Sequence, residues 1–315
     1  MGRAQRCQPR RRVGAPPGAR GSRSSASQAE CSIGGTPVLP SIGAPVTASR
    51  LDAIDLDAVR DGVEAAVRAA NEAICGVLAQ TSMKVASKGE AGPVTEADYA
   101  ADKVLHDMLM PLIDGARWLS EESSEEAPLI RGEATWVIDP LDGTREFLRG
   151  LPEYGVSVGL FVDDRLVLGG VGFPWDGTVL SGLVTATRRE ARRDGAPMAV
   201  LPNDGLVERV VVSRNDYERR RLQYRIPYEV YPCGSAAVKL VHAADIATDV
   251  YFSTGPRSVW DVSGGVAVLE GVGGVLMSIE GTRIELSPQQ IEVPPYVAGA
   301  PEDCLTLLRR VGLLE

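Results

Sequence analysis

The residues of this chain best suited to chemistry are two carboxylates three positions apart, Asp139 and Asp142. The apolar run before them is rich in branched residues and predicts a buried strand, and the proline after Asp139 forbids further ladder hydrogen bonding. Gly143 can adopt a turn conformation that is unfavourable for other residues, and the Thr144 hydroxyl is suited to cap a helix. The two acids, the Leu141 carbonyl and a helix N-terminus are therefore predicted to share one small volume. Oxygen ligands suit Mg²⁺ and helix-start amides suit a phosphate, so the segment indicates phosphoryl chemistry, whereas an isolated Asp-Gly pair would indicate a solvated turn.

Four sequence blocks follow one another across most of residues 50–310. They are residues 93–98 (P-V-T-E-A-D), 119–123 (L-S-E-E-S), 136–144 (W-V-I-D-P-L-D-G-T) and 259–265 (V-W-D-V-S-G-G). In this order they resemble the V-T-x-x-D, G-E-E, W-x-I-D-P-x-D-G-T and W-D-x-A-A-G signatures of the inositol monophosphatase superfamily. Its members are Mg²⁺-dependent, lithium-sensitive phosphatases that include bisphosphate nucleotidases and fructose bisphosphatases. The second block departs from the family by a serine for glycine, and the fourth by serine and glycine for two alanines.

The resemblance implies a carboxylate site for two or three Mg²⁺ ions. Glu121, Asp139 and the Leu141 carbonyl would hold one ion. Asp139 would share a second ion with Asp142 and Asp261, and Asp261 would also contact the substrate. Such a pair of ions stabilises both the attacking and the leaving oxygen of an in-line displacement, without a phosphoenzyme. At Asp261 the alternative is a helix cap, because this acid is predicted to open a helix.

The resemblance also implies which residues act on water and on phosphate. Thr144, together with Glu121, would position and help to deprotonate the attacking water. The amides of Gly143 and Thr144 would hold the phosphate. Asp98 would lie beside the metals and bind metal-bound water. Its spacing of three from Thr95 also predicts a capping box, and the two roles are compatible.

Several basic and hydroxyl residues bear on the substrate. Ser213 and Arg214 resemble the S-R pair that bisphosphate nucleotidases place near the substrate. Ser235 and Lys239 resemble a G-S-x-x-K segment with one additional residue, where simple inositol monophosphatases carry an uncharged residue. A cation at Lys239 would favour a second phosphate on the substrate, and Arg257 would add to the same anion pocket. The alternative is that Lys239 and Arg257 are surface charges that balance an acidic protein.

These features predict a phosphomonoester hydrolase that acts on a small phosphorylated metabolite. The preferred substrate is a 3'(2'),5'-bisphosphate nucleotide, with adenosine 3',5'-bisphosphate hydrolysed to AMP and phosphate. Inositol monophosphate and sugar or histidinol phosphates are the alternatives. A haloacid-dehalogenase-like phosphatase would need D-x-D-G-T, whereas the two acids here are separated by three positions. A non-catalytic, metal-binding interaction protein of the same fold is disfavoured because every implied ligand is present.

The composition excludes several other function classes. The net charge of -9 argues against nonspecific nucleic-acid binding. The five cysteines form no C-x-x-C pair and no even framework, so a zinc site or disulfide scaffold is not expected, and a reducing, cytoplasmic setting fits. Only two histidines occur, which leaves little material for a Ser-His-Asp triad. No apolar run reaches the roughly 20 residues of a membrane span. The expected partner is a small phosphate ester, with no nucleic acid, no membrane, and a homodimer left open.

The chain is predicted to comprise an arm and two subdomains. Residues 1–50 are rich in Arg, Ser, Gly and Pro without periodicity, which predicts disorder, with a transit peptide or an overcalled start as alternatives. Residues 51–195 are predicted to form a metal-binding α+β subdomain, and residues 196–315 an α/β subdomain that completes the active site. The expected fold is a layered αβαβα sandwich, α+β to α/β in class, with an antiparallel sheet in the first half and a mixed sheet in the second.

Periodicity predicts the elements that position these residues. Apolar residues recurring every three or four positions predict a helix over residues 56–78, and a second helix begins at Thr95. A short strand over residues 118–120 leads to Glu121, and a hairpin turns at residues 163–164. Strands and helices then alternate, with a charged helix over residues 215–223.

Overall fold

The computed structural model describes residues 50–80, 85–87, 93–122 and 130–315. These residues belong to one compact unit, Thr47–Glu315. The predicted arm lies outside the described residues except for Arg50. The subdomain boundary near residue 195 stays a prediction.

The helix starts at Leu56 and after Thr95 agree with the sequence pattern, whereas the Thr144 hydroxyl does not cap the helix that follows, because Gly143 is the N-cap and Thr144 is already the first helical residue. In the described part of the chain, the α-helices are Leu56–Leu78 (α1), Glu96–Leu109 (α2), Thr144–Leu148 (α3), Arg214–Glu218 (α4), Ala236–Asp245 (α5), Val259–Gly271 (α6) and Pro301–Arg310 (α7). Short 3-10 helices occur at Arg50–Ala53, Met110–Leu112 and Leu222–Tyr224. Asp55 caps α1 by accepting from two backbone amides, and the predicted capping box between Thr95 and Asp98 begins α2.

Over the ranges that the structure describes, the strands make up two large sheets and two small pairs. In chain order they are Val85–Ser87 (β1), Pro93–Thr95 (β2), Arg117–Ser120 (β3), Thr135–Asp142 (β4), Gly155–Val162 (β5), Arg165–Gly172 (β6), Val179–Val184 (β7), Arg189–Arg193 (β8), Ala196–Pro197 (β9), Arg209–Ser213 (β10), Glu229–Cys233 (β11), Asp249–Ser253 (β12), Arg257–Ser258 (β13), Val275–Ser278 (β14), Glu292–Val293 (β15) and Tyr296–Gly299 (β16). A seven-stranded sheet takes the order β3-β4-β5-β6-β7-β8-β9. Only its β3–β4 pair is parallel.

The second large sheet is mixed, as predicted for the second half of the chain. Its order is β11-β10-β12-β16-β14, with β10 parallel to both neighbours and β16 antiparallel to both of its own. Strand and helix alternate from β10 to α6, which is the pattern that places helices on the faces of a parallel sheet. The small pairs are β1–β2 and β13–β15, both antiparallel.

Helical layers alternate with the two sheets, so the predicted αβαβα sandwich is confirmed. Helices α1 and α2 bury Val63 and Leu105 against Trp136 on one face of the seven-stranded sheet. Its other face packs against α5 and α6, which also cover the mixed sheet. Helices α4 and α7 contact the far face of the mixed sheet, where Leu307 is buried. Three apolar clusters therefore separate the layers, and burial of apolar surface of this kind is the main favourable term in folding.

Two predicted element boundaries need correction. β4 does not end at Asp139 but continues to Asp142. Its pairing with β5 shifts register between these two residues, because Pro140 lacks the amide for a ladder bond and β4 has one residue more than β5 there, which forms a bulge. The charged helix over residues 215–223 is shorter than predicted. It ends at Glu218 because Arg221 adopts a left-handed φ of 55°, which interrupts the helix before the 3-10 turn.

Within the described ranges, no helix combines the length and apolarity that crossing a membrane requires.

Candidate active site

The predicted strand ends meet at one edge of the seven-stranded sheet. Because β3 and β4 are parallel, with Ser120 opposite Ile138, the residues that follow them emerge side by side. These residues are Glu121 and Asp139, and the Glu121 amide donates to the Ile138 carbonyl at 3.1 Å. Parallel pairing thus brings together two carboxylates that lie 18 positions apart in the sequence.

A third carboxylate reaches this edge from the first turn of α6. Asp261 forms a capping box with Ser258, whose amide donates to Asp261 Oδ2 at 3.2 Å. Ser157, which lies opposite Asp139 on β5, donates its hydroxyl to the Trp260 carbonyl at 2.8 Å and so ties the start of α6 to the sheet. Asp261 therefore caps α6 and lies among the acids, and its role as a metal ligand stays a prediction. The sequence analysis did not identify Ser157.

The three acids form a group with the chemistry of a divalent cation site. One oxygen from each of Glu121, Asp139 and Asp261 lies within 4.8 Å of the others. Burial raises the pKa of Asp139 well above its usual range, and the charges of Glu121, Asp142 and Asp261 raise it further. Burial and the charges of Asp142 and Glu121 likewise raise the pKa of Asp261 to about 8, against the opposing effect of Arg257. Crowded carboxylates, of which Asp139 is buried, whose mutual repulsion raises their pKa values fit a divalent metal ion.

Asp142 lies beside this group and is held from the other side. Its Oδ2 accepts from the Ser235 hydroxyl at 2.6 Å and from the Ala237 amide at 2.8 Å, at the N-terminus of α5. Asp142 is not one of the three acids whose oxygens lie within 4.8 Å of one another. Its charge nevertheless acts on Asp139 and Asp261, so it belongs to the same electrostatic site. Ser235, predicted as a substrate contact, instead orients this carboxylate.

Thr144 and Asp98 meet next to the acids. Thr144 Oγ1 lies 3.1 Å from the Leu141 carbonyl oxygen and 3.3 Å from Asp98 Oδ1. Asp98 Oδ2 accepts from the Thr95 amide and hydroxyl at 2.7 and 2.6 Å, so one carboxylate both caps α2 and faces Thr144. Burial raises the pKa of Asp98 although these hydrogen bonds oppose the change. Gly143 precedes Thr144 with a left-handed φ of 91°, and a side chain there would meet the Glu153 carbonyl.

The structure corrects the prediction for Lys239. Its side chain is fully buried, and Nζ donates to the Cys233, Gly234 and Ser235 carbonyls at 3.1, 2.7 and 2.7 Å. All three donors of the ammonium are thereby used, and Lys239 does not line the cavity described below. It is neither a surface charge nor a contact for a second phosphate, because helix geometry directs its side chain back over the start of α5.

The remaining predicted substrate residues differ in their surroundings. The Ser213 hydroxyl caps α4 by accepting from the Asp216 amide, and it donates to the Asp216 carboxylate. Both hydrogen bonds are made within the protein. Arg214 forms ion pairs with Glu153 and Glu146. Arg257 donates to the Tyr251 hydroxyl oxygen at 3.4 Å.

A cavity of about 550 Å³ opens over these groups. It contains Glu121, Asp139, Asp142 and Asp261, together with Gly143, Thr144, Ser213, Arg214 and Arg257. Four further arginines line it that the sequence analysis missed: Arg145, Arg149, Arg219 and Arg220. The spacing of four between the first two, and the run of basic residues after α4, were the available signals.

The chain matches the sequence profile of the inositol monophosphatase family over residues 55–309. It is 27% identical over 250 residues to inositol monophosphatase from Mesembryanthemum crystallinum, covering 75% of this chain and 90% of that protein. It is 29% identical over 235 residues to the 3'(2'),5'-bisphosphate nucleotidase CysQ from Escherichia coli strain K12, covering 72% of this chain and 94% of that protein. The fold resembles the crystal structure of extragenic suppressor protein suhB from Bartonella henselae, with a TM-score of 0.67 and 22% identity over 81% of this chain and 98% of that one.

Proposed function

The chain belongs to the inositol monophosphatase family of metal-dependent phosphatases, and from this premise we propose that it hydrolyses a 3'(2'),5'-bisphosphate nucleotide. Adenosine 3',5'-bisphosphate, converted to AMP and phosphate, represents this substrate class. The observation that carries the proposal is one cavity that combines a group of carboxylates with six arginines, two of which, Arg145 and Arg219, have no side-chain partner among the described residues. An uncharged polyol bearing one phosphate would leave these two arginines without an anion. The similarity to a bisphosphate nucleotidase supports the same substrate class.

The carboxylates are proposed to hold two Mg²⁺ ions. Glu121, Asp139 and Asp261 would supply the ligands at the centre, with Asp142 and the Leu141 carbonyl completing the set. When bound, the ions would stabilise the charge on the phosphate and lower the pKa of the attacking water. The protein's part is to hold these oxygens in place, and the Ser235 and Ala237 donors to Asp142 would do so at one side.

Thr144 and Asp98 are proposed to move the proton. The Thr144 hydroxyl can donate to Asp98 Oδ1 at 3.3 Å while its oxygen accepts from a water aimed at the phosphorus. The raised pKa of Asp98 suits it to accept a proton, since an efficient general base has a pKa nearer the working pH. Glu121 would share in orienting that water. The Gly143 and Thr144 amides, at the start of α3, would bind the phosphate oxygens.

Inositol monophosphate is the second candidate substrate. It is favoured by the 27% identity to a plant inositol monophosphatase over 90% of that protein. The burial of Lys239 also removes one of the features that had indicated a second phosphate. The two candidates therefore differ in what the cavity arginines would bind, whereas the carboxylate chemistry is common to both.

A side-by-side assay tests the proposal. Purified protein with Mg²⁺ is given adenosine 3',5'-bisphosphate, inositol 1-phosphate, fructose 1,6-bisphosphate or histidinol phosphate, and kcat/KM is measured for each. We expect the bisphosphate nucleotide to exceed the others by at least about tenfold, or about 1.4 kcal/mol in transition-state binding. A smaller preference would indicate a promiscuous phosphatase, and a preference for inositol 1-phosphate would establish the second candidate. Hydrolysis of none of them would contradict a phosphatase role.

A further inference from the structure

The cavity arginines fall into two groups by their partners. Four are engaged by groups of the protein itself. Arg149 lies 3.7 Å from Glu146, Arg214 pairs with Glu153, Arg220 bonds to Thr254 and Arg257 to Tyr251. Arg145 and Arg219 differ: among the described residues, neither side chain has a hydrogen bond or an ion pair. Two guanidinium groups that line the cavity are thus available to a ligand.

These two arginines lie at defined places beside the candidate active site. Arg145 directly follows Thr144 in α3, so it adjoins the residues proposed to hold the scissile phosphate. Arg219 caps the C-terminal end of α4, whose first residue is Arg214. Both side chains are exposed, which leaves them accessible from solvent. The carboxylate group comes from β3, β4 and α6, whereas these cations come from α3 and α4.

The charge pattern indicates what such a ligand carries. The carboxylates and their metal ions would take up the phosphate that is cleaved, so the two unengaged arginines are not needed for that group. A guanidinium offers paired donors that match a phosphate, and this pairing is stronger than a neutral hydrogen bond. The obvious competitor, Lys239, is buried with its three donors used.

We propose that Arg145 and Arg219 bind the second, uncleaved phosphate of a bisphosphorylated substrate and so determine specificity. This inference rests on the proposed phosphatase function and names the residues that select within it. A monophosphate substrate makes no such contact. The two arginines therefore distinguish substrates by their second phosphate, and the chemistry at the carboxylates is the same for both.

The test compares substrates that differ only in the second phosphate. Arg145→Gln, Arg219→Gln and the double variant are assayed with adenosine 3',5'-bisphosphate and with adenosine 3'-monophosphate. Arg310→Gln, an exposed arginine on α7 outside the cavity, is the matched control for loss of one charge. We expect each cavity variant to lower kcat/KM for the bisphosphate about tenfold, the effect of one charge-assisted contact. The monophosphate values and the control should change less than about twofold.

Equilibrium binding separates this inference from the proposed function. Calorimetry in an Asp142→Asn background measures the affinity of the same two nucleotides independently of turnover. The inference is supported if the parent protein binds the bisphosphate more tightly than the monophosphate and this difference disappears when Arg145 and Arg219 are replaced. This result would support it even if the wild type prefers another substrate for hydrolysis. Equal losses on both nucleotides, no loss on either, or equal affinity for the two in the parent protein would overturn it. Failure of the wild type to hydrolyse any phosphate ester would instead overturn the proposed function.

Discussion

Replacing Lys239 by methionine tests whether this buried cation acts on the substrate or on the fold of the site. Methionine keeps an unbranched chain of similar length and removes three donors. The carbonyls of Cys233, Gly234 and Ser235 would then lose their contacts at 3.1, 2.7 and 2.7 Å. The ammonium also lies 5.1 Å from the centroid of the Tyr251 ring, a contact that methionine replaces without its charge.

The expected loss of stability follows from the carbonyls of Cys233 and Gly234, because the Ser235 carbonyl keeps the backbone amide of residue 239 at 3.3 Å. Leaving a buried acceptor unpaired costs about 1 to 3 kcal/mol, so the lower end for two groups is about 2 kcal/mol. Relief of the cost of burying an ammonium offsets part of any larger loss. For a domain of this size, about 1 kcal/mol changes the melting temperature by about 2 to 4 °C, so we expect a decrease of about 4 to 8 °C.

The expected loss of activity follows from the segment that Lys239 holds. The same segment carries the Ser235 hydroxyl, which donates to Asp142 Oδ2 at 2.6 Å. A displacement of about 1 Å in a catalytic group can cost about 100-fold in rate. Because Asp142 would serve every substrate, kcat/KM should fall by a similar factor for adenosine 3',5'-bisphosphate and for adenosine 3'-monophosphate.

The assay is thermal unfolding together with kcat/KM on both nucleotides. Lys103→Met is the matched control, because this lysine is 77% exposed on α2 and its ion pair within the described residues is with the exposed Asp107. It should leave both measurements nearly unchanged. A selective loss on the bisphosphate by the Lys239→Met variant, with an unchanged melting temperature, would refute the argument and restore this ammonium as a phosphate contact.

Three further substitutions test other parts of the site and the fold. Asp142→Asn should lower kcat/KM far more than tenfold at saturating Mg²⁺ while circular dichroism is unchanged, because it removes a negative ligand; activity within about tenfold of wild type would contradict the assignment. Ser235→Ala should raise the Mg²⁺ concentration for half-maximal activity by about 10- to 100-fold, because it frees Asp142, and an unchanged value would argue against this role. Burial raises the pKa of Asp303 from 3.8 to about 6, with Asp204 and Glu302 adding to the change, so the folded state loses stability as the pH rises through this interval. Asp303→Asn should therefore raise the melting temperature at about pH 8 and leave it unchanged at about pH 4, and the opposite pattern would mean that the carboxylate is stabilising.

The sequence predicted those parts of the site that depend on local order along the chain. Asp139 lies at the end of an apolar run, and Asp98 lies three residues after its cap, so each position followed from a rule about one element. Asp98 also contacts Thr144, and the role beside the metals that the family resemblance implies for it stays a prediction. The order of layers followed from the same rules, because runs of strand and helix leave few ways to bury their apolar faces.

The parts that failed depend on tertiary contacts or on a single backbone angle. The role of Ser157 could not be predicted from the sequence, because its hydrogen-bond partner, the Trp260 carbonyl, lies 103 residues away. The charged helix was drawn too long because nothing in the residue type of Arg221 signals its left-handed conformation. The four additional arginines were missed because charged residues in or directly after short helices usually face solvent, and the sequence does not show that the segments around α3 and α4 border one cavity.

Lys239 was singled out by its sequence motif, but its contacts depend on the tertiary structure. Those contacts explain how the protein accommodates its charge in the interior. The N-terminus of α5 presents the Ala237 amide and the Ser235 hydroxyl to Asp142, an arrangement that favours a negative charge there. A cation near a helix N-terminus is unfavourable by the same reasoning, so Lys239 needs compensation, and the three carbonyls before the helix provide it. Their oxygens turn toward Lys239 while the donors of the same segment turn toward Asp142. We therefore expect the lysine to stabilise the conformation that binds the carboxylate, a role that its sequence motif could not distinguish from direct binding of a phosphate.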